Sequence, residues 1–391
     1  MIRHFLIFIT VLVVIFPLSA QGREKTINIL YTGSLRGQLE TCGCSPKTDF
    51  GGLARISGFI LENRHELSPY ILIDSGNFTD KDTPQGRLKA ETILKSFKIM
   101  QYDAVALLEN ERVFSDDFFV SLIQKYKTPY VSDSYPCDRS LMVTHDSTEI
   151  NISSDPAVRI EGKLNILLTD QSIADSKMTD GWDLIINSSG VEMDDPFRSN
   201  DSIIVAGYPR GKKLGILTLY IDSMGRVTNF KHRFEALGPD IEEDGMIRSV
   251  LDDYDSKVAE LLKNAEQPSA GTTYSGVLKC AECHEPFLKS WAKTKHARAF
   301  ASLKHTGKSS DPECLICHTV GFGESGGFYT IESTPKLANV QCEECHGLDR
   351  AHLDDFSRPM RPVTVSVCLK CHTKENSPDF DYPVYYEKIK H

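Results

Sequence analysis

The chain has no excess of basic residues, because its 54 Asp and Glu outnumber its 44 Lys and Arg and give a net charge of -10 over 391 residues. This balance argues against a nucleic-acid binder, which needs a positive surface to contact phosphates. Beyond the first 20 residues, the sequence also has no apolar run of the about 20 residues that span a bilayer. With 40% hydrophobic and 25% charged residues, it has the composition of a globular protein rather than of a disordered chain or a coiled coil.

The first 20 residues have the pattern of a secretory signal peptide. Arg3 precedes a short apolar run over 5–17, and Leu18, Ser19 and Ala20 provide the small-residue ending at which such peptides are cleaved. The alternative is an uncleaved anchor helix, for which the run is short. The pattern predicts a protein exported to the periplasm or the cell exterior, where unpaired thiols tend to oxidise.

Residues 26–236 alternate between apolar runs and helical or loop segments, as in an α/β layered domain. Most of the runs are continuously apolar, which is typical of strands covered on both faces. The predicted strands are 27–32, 70–75, 164–169, 183–187, 202–207 and 214–222, with a helix at 89–100.

A connecting helix is predicted over 240–264, with Asp240 as its cap and Glu243 completing a capping box. A polar linker follows over 265–274. The last part, 275–391, has little aliphatic content. Its charges cancel from residue 271 onward, whereas 21–270 carry a net -11. We therefore expect an acidic first domain, and a second domain whose core is filled by something other than side chains.

The last part of the chain holds 8 of the 11 cysteines and 8 of the 12 histidines. They form four copies of C-x-x-C-H, the signature of covalent haem attachment, in which two thiols bind one haem edge and the adjacent histidine binds the iron. The alternatives are disulfides or zinc, but neither explains a histidine after every pair. The motifs predict four c-type haems, on Cys280, Cys283 and His284, on Cys314, Cys317 and His318, on Cys342, Cys345 and His346, and on Cys368, Cys371 and His372.

Four further histidines remain in this part, enough to provide a second axial ligand to each iron: His296, His305, His352 and His391. Methionine, the common competing ligand, is scarce, because Met360 is the only one after residue 246. A methionine ligand would raise the reduction potential, so bis-histidine ligation predicts lower potentials.

The segment 280–391 resembles the tetrahaem cytochrome c-554 family through KCAECH, WAKTKHARAF (291–300), ECLICHTVGFGESGGFYTI (313–331), NVQCEECHG (339–347) and CLKCHTKENSP (368–378). The resemblance implies haems in close pairs and three bis-histidine irons. It assigns His391 to the Cys280/Cys283 haem, His296 to the Cys342/Cys345 haem and His352 to the Cys368/Cys371 haem. The second haem has no distal protein ligand in that family. His305, nine residues before Cys314, is here either a sixth ligand or a surface residue.

Residues 26–236 resemble the metallophosphoesterase domain of secreted 5'-nucleotidase-like proteins through INILYTGSLRGQLE (27–40), GGLARISGFI (51–60), ILIDSGNF (71–78), YDAVAL (102–107) and VAGYPRGKKLGILTLYID (205–222). The resemblance implies an αββα fold. The family's metal ligands are missing: Asp-x-His is Ser34-Leu35-Arg36, the bridging Asp is Asn77, Gly-Asn-His-Glu is Leu108-Glu109-Asn110-Glu111, and Gly-His-x-His is Asn187-Ser188-Ser189-Gly190. His65, His145 and His232 lie at none of these positions. Because two divalent cations need several imidazole and carboxylate ligands, we expect a fold without hydrolytic activity.

Three cysteines remain outside the motifs: Cys42, Cys44 and Cys137. One interpretation is a disulfide between Cys137 and one of the other two, leaving one free thiol. The other is a soft-metal or redox site beside the lost metal centre.

The sequence as a whole favours an exported multihaem electron carrier, whose acidic first domain docks redox partner proteins that have a basic face. Three alternatives stay open: a redox enzyme acting on a small nitrogen compound at the His318 haem, a phosphohydrolase with an attached cytochrome, and a polymerising cytochrome in which His391 binds a haem of the next subunit.

Overall fold

The structure is a computed structural model that describes residues 25–41, 44–265, 274–348 and 350–391. The expected signal peptide at 1–20 and most of the expected linker lie outside the described residues. Within the described ranges, no helix is both long and apolar enough to cross a bilayer.

The first domain is a sandwich of two six-stranded sheets, ordered β12-β11-β1-β2-β3-β4 and β5-β6-β7-β8-β10-β9. The predicted apolar runs are all strands, with β7 beginning and ending where expected. The strands are β1 Lys25–Thr32, β2 Tyr70–Asp74, β3 Ala104–Ala106, β4 Tyr130–Val131, β5 Ser140–His145, β6 Thr148–Ser153, β7 Leu164–Thr169, β8 Leu184–Asn187, β9 Phe197–Ser199, β10 Ser202–Ala206, β11 Lys213–Ile221 and β12 Val227–Ala236.

Helices cover the outer face of the first sheet and make up most of the regular structure after residue 240. They are α1 Leu53–Glu62, α2 Arg64–Leu67, α3 Pro84–Met100, α4 Asp116–Tyr126, α5 Ile173–Met178, α6 Gly245–Asn264, α7 Val277–Trp291, α8 Ala299–His305, α9 Pro312–His318, α10 Cys342–His346, α11 Arg350–Asp354, α12 Val365–Cys368 and α13 Tyr382–Tyr386. The helix expected at 89–100 is the C-terminal part of α3.

The continuous burial of the strands follows from their two covered faces. Along β1, Ile29 and Tyr31 enter the apolar core between the sheets, whereas Leu30 enters the core under α1, α3, α4 and α6. The sequential strands β1 to β4 run parallel, and β11 and β12 pair antiparallel at the other edge. This layered architecture confirms the αββα fold class.

The helix expected over 240–264 begins five residues later, and its cap is Asp244 rather than Asp240. Asp244 accepts a hydrogen bond from the Met246 N–H at 2.9 Å and from the Ser57 hydroxyl at 2.6 Å, so contact with α1 selects the cap. The α6 helix packs on α3 and α1 and buries Ile247 and Leu251 in the first domain. It is therefore part of that domain's core as well as the connection to the next.

Beyond residue 274 the helices are short, and one small apolar cluster forms the described core. Leu315 in α9 is fully buried there, beside Phe328 and against Leu262 from the end of α6. This sparse core agrees with the low aliphatic content of the sequence.

Candidate haem-binding site

Each C-x-x-C-H motif lies within a helix or continues from one. His318 and His346 are the last residues of α9 and α10, and the fourth motif continues from α12. In α7 the backbone leaves helical geometry at His284 (φ -117°, ψ 40°), two residues before Pro286. Residues three apart in a helical turn share a face, so both cysteines of a motif lie on the side where one cofactor edge can bind.

The eight motif cysteines are free thiols, which is inconsistent with disulfides among them. Within the described ranges, no group of three or more His, Cys, Asp or Glu side chains is arranged to hold a metal ion. A structural zinc site needs four such ligands around one ion.

Sulfur atoms bring the motifs together in two pairs, the first with the third and the second with the fourth. The hydrogen bond between Cys280 and Cys342 raises the pKa of Cys280 and lowers that of Cys342. The one between Cys317 and Cys371 raises the pKa of Cys371 and lowers that of Cys317. The structure thus brings the first motif beside the third and the second beside the fourth.

Three motif histidines each have the ring of a second histidine centred about 6 Å from their own. The ring centres are 6.1 Å apart for His284 and His352, 6.2 Å for His296 and His372, and 5.9 Å for His346 and His391. Two bonds of about 2 Å from imidazole nitrogen to a metal, plus half the width of each ring, separate two axial rings by about 6 Å. The residues present thus fit a haem iron between each pair.

These pairings differ from the assignments that the resemblance gave. His352 lies opposite His284 rather than His372, His391 opposite His346 rather than His284, and His296 opposite His372 rather than His346. Motif spacing along the chain does not say which motifs become neighbours, so the assignments that the resemblance gave stay predictions. The chain folds back so that residues following the third motif reach the first.

Backbone carbonyls orient several of these rings by accepting a hydrogen bond from Nδ1, which leaves Nε2 free for a metal. Nδ1 of His346 donates to the Arg361 oxygen at 3.2 Å, and Nδ1 of His391 to the Ile389 oxygen at 3.1 Å. Burial lowers the pKa of His296, His346 and His372 below the usual value. The neutral imidazole is the form that binds iron.

His318 of the second motif differs from the other three. Its Nδ1 donates to the Ala299 oxygen at 2.6 Å, so its orientation is fixed, but no second histidine ring faces it in the described ranges. His305, the candidate sixth ligand, lies exposed at the end of α8. Met360 is also outside the buried core.

At the place of the lost dinuclear metal centre, the structure has protein hydrogen bonds instead of converging metal ligands. The Asn77 side-chain amide donates to the Ser188 oxygen at 2.9 Å, and the Arg36 guanidinium donates to the Ser189 oxygen at 3.1 Å. The four degenerate motifs thus lie together, as the family's metal ligands would. Their side chains form hydrogen bonds between the loops instead of binding a metal.

Two carboxylates lie fully buried beneath these loops. Asp74 accepts hydrogen bonds from the Thr32 hydroxyl at 2.6 Å and the Gly76 N–H at 2.9 Å, and Glu111 accepts from the N–H of Phe78 at 2.9 Å. Burial raises the pKa of each to about 7. Sequence reasoning did not single out Asp74, although its place at the end of an apolar strand is a usual signal for a buried polar site.

The expected disulfide to Cys137 does not form, because Cys137 is a free thiol whose pKa burial raises to about 11. Cys44 is disulfide-bonded. Cys42 lies outside the described residues. The half-buried Cys137 packs against the core of the first domain rather than beside the loop of Cys44.

Comparisons with known proteins find a similarity for each of the two parts of the molecule, a cytochrome family for the last part and a phosphoesterase-like fold for the first. The family described as "Cytochrome c554 and c-prime" matches residues 279–347. Cytochrome c-554 of Nitrosomonas europaea is 38% identical over 113 residues, which are 25% of this chain and 48% of that protein. The chain therefore spans about half the length of this relative. Such a family implies covalently bound haem.

For the first domain, the similarity to solved structures shows the fold alone. A 5'-nucleotidase precursor from Thermus thermophilus aligns with a TM-score of 0.52 and 14% identity over 63% of this chain and 61% of its own. The NAD nucleotidase of Haemophilus influenzae aligns with a TM-score of 0.51 and 12% identity over 65% of this chain and 64% of its own. Both support the metallophosphoesterase-like architecture expected from the sequence.

Proposed function

We propose that the protein is an exported c-type cytochrome that transfers electrons through four covalently bound haems. The observation that carries this proposal is the set of three histidine pairs, with ring centres 5.9 to 6.2 Å apart, each containing the histidine of one C-x-x-C-H motif. In each motif the two cysteines would hold the haem by thioether bonds, and the histidine pair would occupy both axial positions of the iron. Bound haem supplies a reversible one-electron iron couple.

The contacts between motifs support electron transfer within one connected group. The first and third motifs meet at Cys280 and Cys342, and the second and fourth at Cys317 and Cys371. Haems on neighbouring motifs would therefore lie close enough to exchange electrons.

A second candidate function is catalysis on a small nitrogen compound at the second motif. The observation that favours it is His318, which has an oriented ring but no described partner ring. An iron held from one side only has a free position for a small molecule, whereas a bis-histidine iron mainly passes electrons.

For the first domain, residues 26–236, we propose a docking role without phosphohydrolase activity. Residues 21–270 carry the net -11 of the chain, so a partner with a basic face would be attracted and oriented by charge. The degenerate centre supports the loss of hydrolysis, because Asn77 and Arg36 donate hydrogen bonds where metal ligands would have to converge. We place the mature protein, after removal of 1–20, in the periplasm or outside the cell.

The decisive experiment is an EPR spectrum of the fully oxidised, exported protein, with haem quantified on the same sample. We expect four haems per chain, three low-spin and one high-spin. Four low-spin haems would mean that a sixth ligand such as His305 closes the His318 iron, which would rule out the second candidate. Fewer than four haems would contradict the proposal itself.

A further inference from the structure

The first domain contacts the haem domain at the segment that leads into the second motif. The amide Nε2 of Gln85 in α3 donates to the Asp311 carboxylate at 2.9 Å and to the Tyr254 hydroxyl of α6 at 3.0 Å. One turn further along α3, Lys89 forms an ion pair with Glu313 at 2.5 Å. Two adjacent side chains of one first-domain helix thus hold both sides of Pro312, where α9 begins.

A second set of contacts holds the loop before this helix. Lys308 bridges Glu40 at 2.6 Å and Asp255 at 2.7 Å, both in the first domain. Burial raises the pKa of Glu40, but Arg248 and Lys308 outweigh it and hold the pKa below its usual value. The side chains of Lys308 and Glu40 are each 23% exposed, whereas those of the interdomain pair Lys47–Asp379 are 66% and 60% exposed. Screening by water therefore weakens the Lys308 contacts much less.

These contacts reach the metal-binding histidine through a short and well-packed helix. Asp311 is the N-cap of α9, where its carboxylate accepts the Glu313 N–H at 2.9 Å, and the same oxygen accepts the bond from Gln85. Leu315 anchors the middle of the helix in the core that it shares with Leu262 of α6. At the end of the helix, the His318 ring donates to the Ala299 oxygen. A movement of the cap would therefore change the ring orientation.

We infer that Gln85 and Lys89 are positioning residues for His318, so that the former phosphoesterase domain sets the coordination of the second haem iron. The partners that fix a metal-binding histidine control its orientation and its basicity, and these in turn tune the metal. This inference rests on the proposed function, because it needs a haem at the second motif. It assigns the first domain a role inside the molecule, in addition to any docking of partners.

The test uses substitutions in the first domain alone, so the haem-carrying sequence stays intact. In the full-length exported protein, we would compare Lys89→Met, Gln85→Met and the double variant with the parent, measuring haem content, the ferric high-spin EPR signal and the affinity of the reduced protein for carbon monoxide. Removing one partly buried hydrogen bond or ion pair changes an equilibrium by about threefold. We expect a change of about that size in carbon monoxide affinity, a shifted high-spin signal, and unchanged low-spin signals.

The matched control is Lys95→Met, which removes an ion pair from the same helix α3 to Asp253, within the first domain. It should leave all signals unchanged, and Lys89→Arg should restore the parent signal. If the variants keep four haems and show the parent signals and affinity, the first domain does not position His318 and the inference is wrong. If Lys89→Met fails to fold, the milder variant Gln85→Met decides the question. Fewer than four haems in the parent protein would instead contradict the proposed function.

Discussion

Asp74 should make the first domain less stable as the pH rises. Its carboxyl is fully buried at the end of β2, and burial raises its pKa from 3.8 to about 7. Between pH about 4 and 7, the folded state keeps the Asp74 proton that the unfolded state has lost. The stabilisation is therefore fully present below pH about 4 and is lost as the pH rises through this window. Because a difference of one in pKa corresponds to about 1.4 kcal/mol, ionising Asp74 should destabilise the fold by about 4 kcal/mol.

Asp74→Asn tests this value because the amide is neutral at every pH. Whatever the substitution costs in packing, the stability of the variant relative to the parent should rise by about 4 kcal/mol between pH 4 and pH 8. Urea unfolding followed by the fluorescence of Trp182 reports on this domain, because Trp182 is buried in its second sheet. Asp117→Asn, at an exposed position of α4, is the control and should show no such rise. A constant difference between Asp74→Asn and the parent would refute the raised pKa of the buried Asp74 carboxyl.

Three further predictions concern the haems, the lost metal centre and the surface charge. One low-spin haem should become high-spin in each of the variants His296→Ala, His352→Ala and His391→Ala, whereas His305→Ala should convert none. An unchanged EPR spectrum in any of the first three variants would contradict the observed pairing. With added Mn²⁺, the purified protein should not hydrolyse nucleotides or phosphodiesters, and turnover at enzyme-like rates would show that the degenerate motifs still bind metal. Electron exchange with a basic redox protein should slow as salt rises from about 10 to about 150 mM, where the screening length falls to about 8 Å; rates independent of salt would argue against docking by charge.

The sequence predicted those parts of the fold that depend on local pattern. The runs that became β1, β2, β7, β8 and β10 are mostly apolar because both of their faces are covered. The edge strand β12 has the sequence VTNFKHRFEA, in which charged and apolar residues mix because one side faces water, and it was not predicted. The cap of α6 was misplaced for a different reason, since the contact of Asp244 with Ser57 is made across 187 residues.

At the haem site too, local sequence pattern indicates some features, whereas others depend on contacts between distant parts of the chain. The haem-binding cysteines and proximal histidines are predictions from a five-residue motif in the sequence. Which distal histidine faces which motif depends on how four short helices meet, and spacing does not encode that. The contact of Gln85 with Asp311 joins residues 226 positions apart, so the closeness of α3 to the second motif was equally invisible.

Each of the three histidine pairs joins parts of the chain that are far apart in sequence, which also sets an order for the assembly of the protein. In the proposed export, His284 would emerge early, but its partner His352 follows the third motif, and the partner of His346 is His391. A chain that emerges from its N-terminal end and receives its haems in that order must keep the first iron open on one side until the third motif has emerged. The haem domain then closes as one unit rather than haem by haem. Loss of a single cysteine pair late in the chain would therefore leave an earlier haem with its distal side unprotected.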